Sequence, residues 1–197
     1  MRVVSGQAKG RRLKSPRTAG TRPILDRVKT ALFDILSTRV EDARFLDLFA
    51  GTGGVGIEAL SRGAASATFI EMNASVLKLV RENLQITSLA ERAETLHIDA
   101  FKFLQVYAGE KYDIVYVAPP QYKRMAARAL GLLDSSPLVA DTGLVIVQIF
   151  PKERDVVAAV ALSRLALTDE RRYGSTLLMF YEANKEKVNH VDTTREA

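Results

Sequence analysis

Two hydrophobic periods divide this chain. From Ile24 the apolar residues Leu25, Val28, Leu32, Ile35 and Leu36 recur at helical spacing, which sets Arg27 and Lys29 off that face and in solvent. Beyond it, short Val- and Ile-rich runs at 45–49, 67–71, 94–98, 114–118 and 144–150 read as strands. Amphipathic stretches near 55–62, 74–86, 100–107 and 123–134 lie between them as helices, with Val76, Leu77, Val80 and Leu84 on one side of the second. Such alternation predicts an α/β fold, a doubly wound and mostly parallel sheet with helices on its faces. The pattern changes near the end: 164–172 and 176–183 are β-like and joined by Tyr173-Gly174-Ser175, so the sheet should finish in an antiparallel hairpin. At the other end Val3-Val4 and Arg11–Leu13 flank a Gly-containing stretch and read as a hairpin, ended by Thr21-Arg22-Pro23. The expected organisation is a basic arm over 1–23, one domain over 24–183, and a polar, frayed tail over 184–197.

Charge placement sharpens this. The net charge is +5, yet residues 1–30 hold nine bases and one acid, Asp26, so that segment carries +8 and the remaining chain −3. A basic arm on a mildly acidic body suits nucleic acid, and its bland alternative is a solvated tail. The candidate contacts are Arg2, Lys9, Arg11, Arg12, Lys14, Arg22 and Arg27. The 197 residues are enough for one domain with a sizeable core. Absence of cysteine excludes disulfides and thiolate chemistry and suits a cytoplasmic protein, and two histidines argue against a His-rich metal site. The longest strongly apolar run, 144–150, is too short to span a membrane, and no apolar signal core follows Met1-Arg2.

The richest stretch is Phe45-Leu46-Asp47-Leu48-Phe49-Ala50-Gly51-Thr52-Gly53-Gly54-Val55-Gly56: a strand, a glycine turn, then a helix start. Glycine lets backbone approach a ligand, so a nucleotide-like cofactor is the natural guest. The spacing from Gly51 to Gly56 matches a dinucleotide fingerprint, with Glu71 twenty residues on. A carboxylate at Asp47, however, is unwelcome beside a pyrophosphate. A cationic ligand with an adenosine end, S-adenosylmethionine, fits better: Asp47 near its amino-acid or sulfonium end, Glu71 on the ribose, Asp99 on the adenine amine. Each acid has a bland alternative: a turn brace for Asp47, a surface acid for Glu71, a helix cap for Asp99.

Ligands of doubly wound sheets gather beyond the C-terminal strand ends, which also points to Ala118-Pro119-Pro120-Gln121-Tyr122 after the fourth strand. Two prolines stiffen that turn and remove N–H donors, leaving carbonyls for an exocyclic base amine. Acceptors on the amine hydrogens localise its lone pair for in-line attack on a methyl. Tyr122 is placed to stack on a base. The bland alternative is a rigid connector.

The chain resembles the bacterial 16S ribosomal RNA guanine-N2 methyltransferases (RsmD-like), within the class I S-adenosylmethionine-dependent methyltransferases. The resemblance covers about residues 1–183 and rests on Arg2–Gly6, Lys9–Leu13, Thr21–Pro23, Asp26–Val28, Ala31–Phe33, Leu46–Gly53, Gly56–Ala64 and Tyr173–Thr176. It implies a Rossmann-like, seven-stranded sheet and a cofactor pocket at the glycine turn, with candidate residues Asp47, Phe49, Ala50, Gly51, Thr52, Gly53, Glu71, Met72, Asp99 and Ala100. It further implies a guanine of 16S RNA, free or in a small-subunit assembly intermediate, as target, with the arm on phosphates. Neither a metal nor a membrane is expected to be involved, and a monomer is expected. The family usually carries Asp-Pro-Pro-Tyr or Asp-Pro-Pro-Phe; here Ala118 replaces the Asp and Gln121 the aromatic residue. Either the Pro119 carbonyl and the Gln121 amide take over, which is the reading preferred, or methylation is weak or lost. Competing readings are an adenine-N6 methyltransferase on DNA or RNA, a catalytically silent RNA-binding or ribosome-assembly protein, and a nicotinamide oxidoreductase.

Overall fold

The computed structural model describes residues 1–15, 24–121 and 124–183. Arg22, Tyr122 and the 184–197 tail fall outside the described residues. The chain divides into two compact units, Met1–Val106 and Tyr107–Ala197.

The first unit contains α1 (Asp26–Leu36), β1 (Arg44–Asp47), α2 (Gly54–Ser61), β2 (Ser66–Ile70), α3 (Ala74–Thr87), β3 (Ala93–Leu96) and α4 (Ala100–Val106). β2 lies between β1 and β3 and is parallel to both, with Asp47 of β1 opposite Phe69 of β2. The second contains β4 (Tyr112–Val117), α5 (Met125–Ser135), β5 (Val139–Ile149), α6 (Arg154–Ala158), β6 (Leu165–Tyr173) and β7 (Thr176–Ala183). β4 and β5 are parallel, whereas β7 is antiparallel to both β5 and β6. Among the described residues the two units supply the seven strands of a mixed, mostly parallel sheet ending in an antiparallel hairpin, the expected α/β class. No helix among the described residues is long and apolar enough to cross a membrane.

Two local departures have simple causes. β5 starts at Val139, five residues before the expected run, because a register shift between Tyr112 and Ile114 lets the polar Asp141-Thr142-Gly143 stretch join the strand. α6 has only five residues, too few to show a helical period. In the second unit Asp134, near the end of α5, accepts hydrogen bonds from the N–H groups of Ser163, Arg164 and Leu165 and from the Ser163 hydroxyl. Burial alone would raise its pKa, but those four donors outweigh it and hold the carboxyl below its ordinary range.

The first unit is organised around α2, every residue of which is buried. One side packs on β2. There an added Cβ on Gly56 would come 2.4 Å from the Phe69 ring, so only glycine allows the helix this close. The other side is covered by the N-terminal hairpin. Arg2 and Arg12 form an antiparallel bridge, and Val3 N–H donates to the Arg11 carbonyl. A helix covered all round must satisfy its polar side chains inside the protein. Glu58 does so by accepting from Val4 N–H (2.8 Å) and Ser5 N–H (2.9 Å) and pairing with Lys29 (3.1 Å) and Arg62 (3.0 Å). Ser61 receives the tip of the hairpin: its Oγ accepts from Ala8 N–H and donates to the Ser5 carbonyl, and its own carbonyl accepts from Gln7 N–H. Gly6, at φ +76°, lies so close that a Cβ would sit 1.8 Å from the Ser61 carbonyl oxygen.

Lys29 corrects the sequence expectation. It is wholly buried, pairing with Glu58 and donating to the Arg2 carbonyl at 2.6 Å. The buried face of α1 is Val28, Lys29, Leu32, Phe33 and Leu36, while Leu25 and Ile35 are exposed. The same 3–4 spacing admits a face rotated by one residue, and packing selects the one whose lysine meets Glu58. Arg27 is exposed, as expected.

Removing Glu58 strands Lys29 and two backbone N–H groups, so Glu58→Ala should lose about 3–5 kcal/mol. Lys29→Met leaves Glu58 with Arg62 and both N–H donors and should lose clearly less. Urea midpoints for the two variants check the ranking, and equal losses would contradict it.

Candidate functional site

The first unit gathers the candidate cofactor residues around the turn from β1 into α2. Gly51 (φ +52°) and Gly53 (φ +80°) make the bend, and a Cβ on Gly51 would meet nothing within 4 Å, so its face is open. Three of the turn's N–H groups are engaged. Gly51 N–H donates to Glu71 Oε2 (3.1 Å), Gly53 N–H to the Ala50 carbonyl (2.8 Å) and Gly56 N–H to Asp47 Oδ2 (3.1 Å). Two of those acceptors are the carboxyl groups of Asp47 and Glu71, so acidic side chains already occupy amides that a pyrophosphate would use. That arrangement disfavours the dinucleotide reading of the glycine spacing.

Asp47 is 2% exposed and braces the first turn of α2. Burial pushes its carboxyl pKa up to about 7, against the lowering effect of Gly56 N–H and with a further rise from the Glu71 charge. Glu71, half-buried at the end of β2, uses Oε1 for Asn73 N–H at 2.8 Å, and each of its oxygens retains a lone pair for another donor. Asp99 caps α4, its Oδ1 accepting from Phe101 N–H (2.9 Å) and Lys102 N–H (3.0 Å). Phe49 meets Phe101 edge to face at 5.9 Å, which brings the start of α4 beside the glycine turn. Ala50, Thr52, Gly53 and Ala100 are buried, while Met72 is 65% exposed. The Met72 carbonyl accepts from His97 Nε2 at 2.9 Å.

The hairpin exposes Arg2, Lys9, Arg11, Arg12 and Lys14. Arg2 pairs with Asp26 at 3.5 Å and Lys14 with Glu82 at 2.8 Å, whereas Lys9, Arg11, Arg12 and Arg27 have no ion-pair partner among the described residues. In the second unit Ala118 and Pro119, half-buried, follow β4, with Pro120 and Gln121 exposed after them. No group of three or more His, Asp or Glu among the described residues could hold a metal ion.

Sequence reasoning missed Asn83 and Phe101. Asn83 is wholly buried. Its amide donates to the carbonyls of Thr52 (3.0 Å) and Lys14 (3.1 Å), and its Oδ1 accepts from Lys14 N–H at 2.7 Å. The available signal was an amide three residues after Val80, on the apolar face of α3.

The sheet, its end hairpin and the glycine turn define a Rossmann-like methyltransferase fold. A solved structure titled "Putative methyltransferase yhhF from Escherichia coli" superposes with a TM-score of 0.81 at 34% identity, covering 93% of this chain and 98% of that one. The chain belongs to the family described as "Conserved hypothetical protein 95", whose model matches residues 1–182. Among its relatives is the "Putative rRNA methyltransferase YlbH" of Bacillus subtilis, 32% identical over 184 residues, 92% of this chain and 98% of the relative. Another is "Ribosomal RNA small subunit methyltransferase D" of Escherichia coli, 39% identical over 148 residues, 75% of this chain and 74% of the relative.

The raised Asp47 pKa gives a pH signature. Between about pH 4 and 7 the unfolded chain releases this proton while the folded chain keeps it, so stability falls as pH rises. Asn keeps an acceptor for Gly56 N–H, so Asp47→Asn should gain on wild type across that window in urea midpoint. A pH-independent difference would contradict the buried, proton-holding carboxyl.

Proposed function

We propose that this chain transfers a methyl group from S-adenosylmethionine to the exocyclic N2 amine of a guanine in small-subunit (16S) ribosomal RNA. One observation carries the cofactor choice: the turn's amides are engaged by the carboxyl groups of Asp47 and Glu71, a setting that suits a ligand with a cationic head and not an anionic one. The relatives' names support ribosomal RNA as substrate.

In this reading Asp47 favours the positive amino-acid and sulfonium end, and a cation against it draws its pKa back down. Glu71 takes ribose hydroxyls on its remaining lone pairs and Asp99 accepts from the adenine amine. Phe49, Ala50, Gly51, Thr52, Gly53, Met72 and Ala100 form the walls. When bound, the cofactor supplies a methyl carbon made electrophilic by the sulfonium. The Pro119 carbonyl and the Gln121 amide oxygen accept from the guanine amine and localise its lone pair, and Tyr122 stacks on the base. Arg2, Lys9, Arg11, Arg12, Lys14, Arg22 and Arg27 hold phosphates, without sequence selectivity. The protein works as a cytoplasmic monomer and without a metal.

Ala118 favours one second reading, a catalytically silent RNA-binding protein, because it offers no side-chain acceptor. Labelled methyl donor with deproteinised 16S RNA and with partly assembled 30S particles, followed by nucleoside analysis, separates the two. N2-methylguanosine is expected. N6-methyladenosine would move the target to adenine, and cofactor binding without transfer to either substrate would favour the silent protein.

If the Gln121 amide stands in for the missing carboxylate, Gln121→Ala should slow single-turnover methylation by about one to two orders of magnitude, from about 1.5–3 kcal/mol of lost interaction. An unchanged rate would remove Gln121 from the chemistry.

RNA affinity should fall steeply with salt. Replacing Lys9, Arg11 or Arg12 by Ala should each reduce the log–log salt slope by about one. A slope unaffected by all three would place the RNA elsewhere.

A further inference from the structure

The open end of the hairpin is fastened to the glycine turn at two points. Met1 lies against Gly54, where an added Cβ would sit 2.5 Å from the Met1 sulfur. Lys14 reaches the turn through Asn83, whose amide uses all three of its described bonds on backbone: two on Lys14 and one on the Thr52 carbonyl. Thr52 lies between the two glycines that make the bend. Lys14 and Met1 are themselves tied, because Leu13 N–H donates to the Met1 carbonyl. The exposed bases Lys9, Arg11 and Arg12 stand on this same hairpin. One buried side chain therefore joins the backbone that presents the basic face to the backbone that forms the cofactor cradle. It has no spare donor with which to hold one when the other moves.

We propose that Asn83 is a positioning residue that couples the two: nucleic acid docked on the hairpin and cofactor seated on the Gly51–Gly53 turn each stabilise the arrangement the other requires. This deepens the methyltransferase reading and rests on it. Such coupling is reciprocal, so either ligand raises the affinity of the other by the same factor. The enzyme then holds its methyl donor most tightly when RNA is present.

The experiment measures S-adenosylhomocysteine affinity calorimetrically at fixed salt, with and without saturating deproteinised 16S RNA, for wild type, Asn83→Ala and Glu82→Ala. Wild type should bind about fivefold or more tightly with RNA, the lower end of ordinary coupling. Glu82→Ala removes the Lys14 ion pair but none of the Asn83 bonds, and should keep that factor. Asn83→Ala should reduce it to near one, a change that a general loss of stability would not produce, since the factor is a ratio within one variant. If Asn83→Ala does not fold, amide exchange in wild type serves instead: the Lys14 N–H should exchange more slowly when S-adenosylhomocysteine is bound. Equal wild-type affinities with and without RNA, an undiminished factor in Asn83→Ala, or unchanged Lys14 exchange would each overturn the proposal. Failure of wild type to bind S-adenosylhomocysteine under either condition would overturn the methyltransferase reading, and this inference with it.

Discussion

The pairing of Glu58 with Lys29 inside the first unit is the constraint on which the rest is built. A carboxylate and an ammonium taken fully out of water are costly unless every remaining lone pair and proton finds a partner. Here Glu58 also receives Val4 N–H, Ser5 N–H and the Arg62 guanidinium, and Lys29 also meets the Arg2 carbonyl. The hairpin thus docks through its backbone. Beyond the ion pairs of Arg2 and Lys14, the main chain makes the docking bonds, and Lys9, Arg11 and Arg12 keep their charged ends in solvent. These three bases are therefore presented outward from a hairpin anchored on α2.

The same helix that receives the hairpin carries the glycine turn at its N-terminus. Phe69 of β2 is the floor: it stands opposite Asp47 in the sheet and meets any Cβ placed on Gly56. Gly56 thus serves packing, whereas Gly51 serves the open face. Asp47 and Glu71 hold the turn's amides from two adjacent strand ends, and the Glu71 charge adds to the cost of ionising the buried Asp47. A positive ligand relieves that cost and an anionic one adds to it. The preference for a sulfonium cofactor over a pyrophosphate follows from the electrostatics of the turn.

Much of this was legible. The 2.0 and 3.6 periods located the strands and helices to within a few residues, except for the short α6 and the polar beginning of β5, where no period exists to read. The glycine turn, its two acids and the resemblance carried by the N-terminal block pointed to the cofactor and to RNA. Asp47 and Asp99 also act as the bland readings foresaw, bracing α2 and capping α4. Lys29 was misplaced because a lysine beside an apolar stripe reads as a solvated residue unless a buried acid awaits it. For Asn83 the sequence offered only an amide on the apolar face of α3, because its three partner groups come from segments 31 and 69 residues away.

The sequence by itself determined the element order, the α/β class, the chemistry available at the glycine turn and the departure at Ala118, because these depend on residues near one another in the chain. Tertiary structure decided which polar groups are interior, and so which of the basic residues serve the fold and which remain free for a partner. Burial and hydrogen-bond satisfaction are properties of what comes to lie against a side chain. For Glu58, Lys29 and Asn83 that is a hairpin far away in sequence.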